Sequence, residues 1–275
     1  LLIVGAGVIT FMLVEAKRLG MKRVWIYFLL SGFTAMAFTF PLFMAFRERK
    51  LLQLRLAGGS IERYEFDNHI VDVWLPADLN PETPVLVMHD GRNIFDEKDS
   101  YTGKTWEVLP AIRDEVRGPK PVVIALWGFS DLTRLRELAP QKILDNHQEI
   151  WDGMPADYAD APGESMGDAY VSLMADAILP FVADKHGLEL NPDRTAVMGS
   201  SMGGLMAFQM AFSFPKIFGG AGCISSAFWK TNGKIFNSLE KSAFLPNGIR
   251  IYLDTGEYEP PIADAYFKMM KLLKN

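Results

Sequence analysis

Thr195-Ala196-Val197-Met198-Gly199-Ser200-Ser201-Met202-Gly203-Gly204-Leu205 decides how this chain is read. A short β-type run enters a glycine–serine cluster, and a helical pattern leaves it and lasts to Phe212. This is G-x-S-x-G set between a strand and a helix. Glycine two residues to either side of the serine lets strand and helix approach where a β-carbon would clash. Only Ser201 is flanked in that way, since Ser200 has Met198 and Met202 in the same places. Gly204 permits still closer packing of the helix. Such a turn holds Ser201 above the sheet as a nucleophile and aims the Met202 backbone N–H at a developing oxyanion.

Around this turn the chain alternates. Short β-type runs stand at 69–75, 85–89, 122–127, 194–199, 219–225 and 249–254, with helical patterns at 106–116, 169–186, 202–212 and 262–273. Apolar strands separated by helices predict an α/β fold with a mostly parallel sheet covered on both faces. Residues 78–84, with Pro81 and Pro84, read as a turn, and no internal repeat is visible. The loop Met88-His89-Asp90-Gly91-Arg92-Asn93 follows an earlier strand and should supply a second oxyanion donor, the N–H of Arg92 or Gly91, with Gly91 turning the donor inward. His89 and Asp90 lack further ligands at metal-binding spacing, so they are expected to fix this loop. The triad's acid should follow the late strand at 249–254, where Asp254, Glu257 and Glu259 stand.

In order and spacing, residues 60–274 resemble the esterase family of α/β-hydrolases, in its enterochelin-esterase-like branch. That family also holds feruloyl esterase domains, S-formylglutathione hydrolases and mycolyltransferases. The resemblance rests on Val71-Asp72-Val73-Trp74-Leu75-Pro76, on Met88-His89-Asp90-Gly91 with Asn93-Ile94-Phe95-Asp96, and on Arg134-Leu135-Arg136-Glu137-Leu138-Ala139-Pro140. It continues through the Ser201 turn and Phe218-Gly219-Gly220 with Ser225, and ends at Tyr252-Leu253-Asp254-Thr255-Gly256-Glu257-Tyr258-Glu259. It implies an α/β-hydrolase fold and a serine ester hydrolase acting on a small-molecule, lipid or siderophore ester, with no cofactor and no metal. It also implies Glu259 as the acid, with Glu257 and Asp254 as alternatives, and a histidine base after the acid. All four histidines (69, 89, 147, 186) precede Ser201, so the base is expected beyond Asn275 and the chain as it stands is expected to be inactive. An acyltransferase of the same fold and a tethered, non-catalytic binding domain are the alternatives.

Composition agrees with a folded chain. The chain has 275 residues, 49% hydrophobic and 22% charged, enough to bury a full core. Its net charge of −5 divides unevenly: residues 1–50 carry seven Lys/Arg against two Asp/Glu, and the other 225 carry 21 against 31. An acidic bulk with no basic stripe argues against nucleic acid. One cysteine, Cys223, excludes an internal disulfide framework and any multi-cysteine metal site.

The first fifty residues read differently. Residues 24–46 hold no charged side chain, long enough to cross a hydrocarbon core of about 30 Å, with Trp25 and Tyr27 at headgroup level. With the apolar run at 1–14 they predict a membrane hairpin over 1–50, a linker at 51–59 and an esterase domain at 60–275. Lys17, Arg18, Lys22 and Arg23, crowded into one turn, favour a cytoplasmic turn and place the domain outside the cytoplasm. Residues 15–23, Pro41-Leu42-Phe43 and Arg47-Glu48 resemble a family of short, uncharacterised bacterial multi-span proteins. Gly5-Ala6-Gly7 lacks the third glycine of a dinucleotide fingerprint, since Thr10 stands there, and is expected to be a small-residue packing patch. The chain opens at Leu1 without an initiator Met and closes directly after a helical pattern, which reads as truncation at both ends.

Arg134, Arg136 and Glu137 are read as either an ion pair at the pocket rim or a solvated loop. Trp127, Trp151 and Trp229 are read as core aromatics that could also line an acyl pocket, and residues 152–168 as a surface loop able to act as a lid.

Overall fold

The structure is a computed structural model that describes residues 2–34, 36–128, 131–141, 163–241 and 248–273. It divides into two compact units, residues 1–59 with 109–114, and residues 60–108 with 115–275.

The first unit is helical: α1 (Leu2–Arg18), α2 (Trp25–Thr34), α3 (Met36–Arg55) and most of α4 (Val108–Asp114). Met12, Ala16 and Phe43 are its buried centre. The Tyr27 and Phe43 rings meet edge to face at 5.5 Å, and the Ser31 and Thr39 hydroxyls lie 2.6 Å apart. Glu15 accepts from Arg18 and from Arg47, each at 2.7 Å, and these two guanidinium groups hold its carboxyl down at about 2.

The two transmembrane helices expected of a membrane hairpin are not supported: no helix among the described residues is long and apolar enough to cross a membrane. The uncharged run at 24–46 is shared between two helices. The ten residues of α2 rise only about 15 Å, half a hydrocarbon core. Helix α3 contains Pro41 and continues through Arg47, Glu48, Arg49, Lys50 and Arg55, into the stretch read as linker. Gly5 and Gly7 lie in α1 with open space where a β-carbon would stand, so no described residue packs closely on them.

The second unit is built on a seven-stranded sheet: β1 (Ser60–Phe66), β2 (His69–Leu75), β3 (Val85–Met88), β4 (Val122–Leu126), β5 (Thr195–Ser200), β6 (Gly220–Ile224) and β7 (Arg250–Asp254). Its order is β1-β2-β4-β3-β5-β6-β7. The first three strands of that order run antiparallel, and β4, β3, β5, β6 and β7 run parallel. β1 and β2 form a hairpin closed by Asp67 and Asn68, both at positive φ (44° and 69°) as a type I′ turn demands. Every residue of β4 is buried, as a strand covered on both faces requires.

Helices α5 (Asp131–Glu137), α6 (Gly167–Ser172), α7 (Leu179–His186), α8 (Met202–Ser213), α9 (Lys234–Lys241) and α10 (Pro260–Leu273) complete the unit. A π-helical stretch, Leu173–Ile178, joins α6 to α7. Gly187 at φ 63° caps α7 directly after His186. The sheet reverses its direction of winding between β3 and β5: the chain leaves β3 toward β4 and leaves β5 toward β6. At such a switch point the carboxyl ends of neighbouring parallel strands open a crevice, the usual place for a ligand in an open α/β sheet. The loop after β3 and Ser201 after β5 both lie there.

Candidate active site

Ser201 is the single residue between β5 and α8, at φ 56° and ψ −118°, a backbone region that costs a non-glycine residue about 1–3 kcal/mol. Backbone bonds hold it on both sides: its N–H donates to Ile224 O at 2.9 Å, and its carbonyl accepts from Ala227 N–H at 3.0 Å. The residue is exposed, and its hydroxyl makes no hydrogen bond to any described residue. The glycines around it are there for space. A β-carbon on Gly199 would lie 2.5 Å from the Gly203 carbonyl carbon, and one on Gly204 would run into the Ser226 hydroxyl. Met202 and Gly203 open α8, where the first N–H groups of a helix lack intrahelical acceptors.

The loop after β3 meets the start of α8. A β-carbon on Gly203 would lie 3.3 Å from both His89 Cβ and Asp90 Oδ2. This loop turns at Asp90, which is left-handed at φ 59° and ψ 42°, and continues as a 3₁₀ turn, Gly91–Asn93. Gly91 therefore has a different reason from the one its sequence suggests. Asp90 takes the positive φ, and Gly91 is bare because a β-carbon would come within 2.6 Å of Ala125 on β4 and of the Trp127 ring. Arg92 points its side chain away into a hydrogen bond from Nε to Asp99 O at 3.0 Å.

The turn of Asp90 is locked from behind. Arg134 on α5 grips its carboxylate with two nitrogens, Nε on Oδ1 and Nη2 on Oδ2, the latter at 2.6 Å. His89 is fully buried, its Nδ1 lies 2.7 Å from the Tyr170 hydroxyl, and its Nε2 has no partner among the described residues. Burial pushes the His89 imidazole down to about 4 and the Tyr170 hydroxyl well above its usual value. The buried Glu137 carboxylate accepts from His69 Nε2 at 2.9 Å, and that bond raises the imidazole. Arg136 donates to Glu164 O at 2.8 Å. Among the described residues Arg134, Arg136 and Glu137 thus each bond outside their own segment, and the buried Glu137 on α5 is not part of a solvated loop.

Beyond β7, Glu259 Oε2 accepts from the Ser225 hydroxyl and from Gly256 N–H, each at 2.8 Å. Asp254 Oδ1 accepts from Ser225 N–H at 3.0 Å, and Glu257 is exposed on the turn. Sequence reading placed Glu259 by its family position. The way Ser225 ties it to the end of β6 carries no sequence signal, because the partners are 34 residues apart.

The remaining candidates are occupied. His186 lies 3.3 Å from the Tyr64 hydroxyl. Trp127 donates to Asp72 Oδ2 at 3.0 Å with Arg63 over its ring, and Trp229 is half-buried with Lys230 over its face. No group of His, Cys, Asp or Glu among the described residues could hold a metal ion. His147, Trp151 and most of the expected lid at 152–168 lie outside the described residues.

Comparison with known proteins follows the same division of the chain. Residues 1–49 match a family described only as a protein of unknown function, DUF2834. An uncharacterised protein, YbbA, from Bacillus subtilis (strain 168) is 22% identical over 204 residues, 73% of each chain. Among solved structures, the enterobactin esterase FES from Shigella flexneri matches 78% of this chain at 20% identity and a TM-score of 0.55. This chain covers only 50% of that protein's length. The BES protein from Bacillus cereus matches with a TM-score of 0.56 at 13% identity over 78% of this chain and 83% of its own. An IroE-like serine hydrolase from Shewanella oneidensis gives 0.55 at 15% identity, over 78% of this chain and 70% of its own. At these identities the likeness is one of fold. The family model described as "Putative esterase" matches residues 67–272, three-quarters of the chain and all of the crevice just described, and to that family the chain belongs.

Proposed function

We propose that the protein is a serine carboxylic-ester hydrolase working through an acyl-enzyme on Ser201. One observation carries this reading: Ser201 keeps a costly backbone conformation while its side chain is exposed and unbonded among the described residues. Packing gains nothing from that, whereas a nucleophile needs it.

In the first step Ser201 Oγ attacks the ester carbonyl carbon. The oxygen of the tetrahedral intermediate takes hydrogen bonds from Met202 N–H and from Gly91 or Arg92 N–H in the loop Arg134 locks. The serine proton passes to an imidazole base and then to the departing alkoxide. Water, deprotonated by the same base, attacks the acyl-enzyme and returns Ser201 with release of the acid. Glu259 orients that imidazole, with Asp254 and Glu257 as the other acids within reach of the turn. His69, His89 and His186 are engaged by Glu137, Tyr170 and Tyr64, so the reading requires an imidazole that none of the three supplies.

The ester class we propose is that of siderophores, supported by the enterobactin esterase above and by a siderophore hydrolase, EstA, from Aspergillus nidulans. EstA has a TM-score of 0.50 at 17% identity, over 77% of this chain and 78% of its own. A fluorophosphonate probe on the full-length protein tests the mechanism, with labelling expected on Ser201 and lost in Ser201→Ala. Folded protein that takes no label would overturn the reading. Enterobactin hydrolysed faster than simple acyl esters, with free acid as the product even when an alcohol acceptor is present, would support the substrate class and separate hydrolysis from acyl transfer.

A further inference from the structure

Ser225 holds a position that no requirement of the sheet explains. It follows β6 at φ 40°, left-handed and unfavourable for serine. Both of its donors point to acids at and beyond the end of β7: its N–H goes to Asp254 Oδ1, on the strand's last residue, at 3.0 Å and its hydroxyl to Glu259 Oε2, five residues on, at 2.8 Å. Its neighbours hold the nucleophile. Ile224 O accepts Ser201 N–H at 2.9 Å, and Ala227 N–H donates to Ser201 O at 3.0 Å. Residues 224–227 are therefore a bracket with Ser201 on one side and the acidic turn on the other.

The bracket separates the three acids. Asp254 also has one oxygen held, but by a single donor, the Ser225 N–H, and it sits within the strand that this bond ties to β6. Glu257 is exposed and receives no hydrogen bond from a described residue. Glu259 has Oε2 clamped by two donors, while Oε1 has no hydrogen-bond partner among the described residues. A β-carbon on Gly256 would lie 2.6 Å from Glu259 Oε2, so the carboxylate would have to shift to make room for one. One oxygen held and the other free is the arrangement an imidazole needs from the acid that orients it.

We infer that Ser225 is a positioning residue: it clamps Glu259 Oε2 and so aims Oε1 at the base that serves Ser201. This rests on the serine-hydrolase reading and adds to it the choice of acid and the device that couples acid to nucleophile. Ser225 touches no reacting atom. Its whole effect runs through Glu259.

The test uses the full-length protein and four variants: Ser201→Ala, Ser225→Gly, Glu259→Ala and the double variant Ser225→Gly/Glu259→Ala. Hydrolysis of p-nitrophenyl butyrate supplies kcat and KM, a fluorophosphonate supplies the labelling rate, and thermal unfolding supplies Tm. Glycine accepts φ 40° more readily than serine, so Ser225→Gly should keep or raise Tm while kcat falls about 10- to 100-fold, the range a charge-assisted hydrogen bond commands. KM should stay within about twofold, and adding Ser225→Gly to Glu259→Ala should cost less than about twofold more. A Ser225→Gly enzyme as fast as the parent overturns the inference, as does a loss that multiplies undiminished onto Glu259→Ala, or a Glu259→Ala variant with full activity. If Ser225→Gly lowers Tm, Ser225→Ala is put through the same cycle and judged by the same non-additivity. Hydrolysis and labelling that survive Ser201→Ala, or a parent protein that takes no label, would instead bring down the serine reading and this inference with it.

Discussion

His89 is fully buried behind the loop after β3, bonded to the Tyr170 hydroxyl through Nδ1 and to no described residue through Nε2. Burial holds its imidazole down at about 4, with Arg134 adding to the effect and Asp90 opposing it. In the unfolded chain the same group titrates near 6.5. Between those values the unfolded state binds the proton and the folded state does not, so stability rises with pH across that window. The contribution, about 3 kcal/mol, is fully present above roughly pH 6.5 and mostly lost by about pH 4. His69 works with the opposite sign: Glu137 raises it, so its contribution is present below the unfolded value and fades as pH rises through the folded one. Urea unfolding of the parent and of His89→Gln isolates the first term, since glutamine can still meet Tyr170 but does not titrate. The stability difference, parent minus variant, should grow as pH rises from 4.5 to 7 in line with the two titrations. A difference flat across pH would show that His89 takes up its proton when folded. At this scale Ser201 was legible because its requirement is local, glycine two residues to either side. Ser225 and Arg134 were not, because their acceptors stand 34 and 44 residues away.

Among the elements, the join between α5 and the loop after β3 carries the most consequence. Arg134 on α5 is the counter-charge of Asp90, whose side chain is 5% exposed, while that of Arg134 is 27% exposed. In Arg134→Met a nearly buried carboxylate loses its partner. We expect a loss of about 2–4 kcal/mol, below the full cost for a sealed pair because water reaches the arginine side. Slower fluorophosphonate labelling should accompany it, as the loop carrying the Gly91 and Arg92 amides loosens. Urea midpoints within experimental error of the parent's would mark the pair as a surface contact of little worth. Elements were legible where hydrophobicity was unbroken: the wholly apolar Val122–Leu126 could only be a central strand. β1 escaped because Glu62, Arg63 and Glu65 break up its alternation. The run at 24–46 misled for the converse reason. An absence of charge says how apolar a stretch is but not whether one helix spans it, and here two helices divide it.

On the scale of the whole molecule, the sole cysteine reports on the sheet from within. Cys223 is fully buried on β6, in register with Gly199 on β5 and with Leu253 on β7. Burial pushes its thiol up to about 12, so the folded protein offers a disulfide reagent neither thiolate nor access. Reaction must wait for an opening that separates the central strands, and those same strands present Ser201 and the loop after β3. If β5, β6 and β7 form one cooperative block, labelling of Cys223 by an aromatic disulfide at pH 8 should follow global unfolding. It should be negligible in native buffer and complete in denaturant, and its free energy of opening should fall with urea along the slope measured by far-UV circular dichroism. Gly204→Ala, which drives a β-carbon into Ser226, should cost about 1–3 kcal/mol and raise the labelling rate by the same free energy that it takes from global stability. Rapid labelling in native buffer, with the circular dichroism unchanged, would mean that β6 and β7 part locally from the rest. The acid after β7 would then move independently of the serine after β5, and a hydrolase built on that pair would need something further, such as bound substrate, to bring the two ends of the crevice into register.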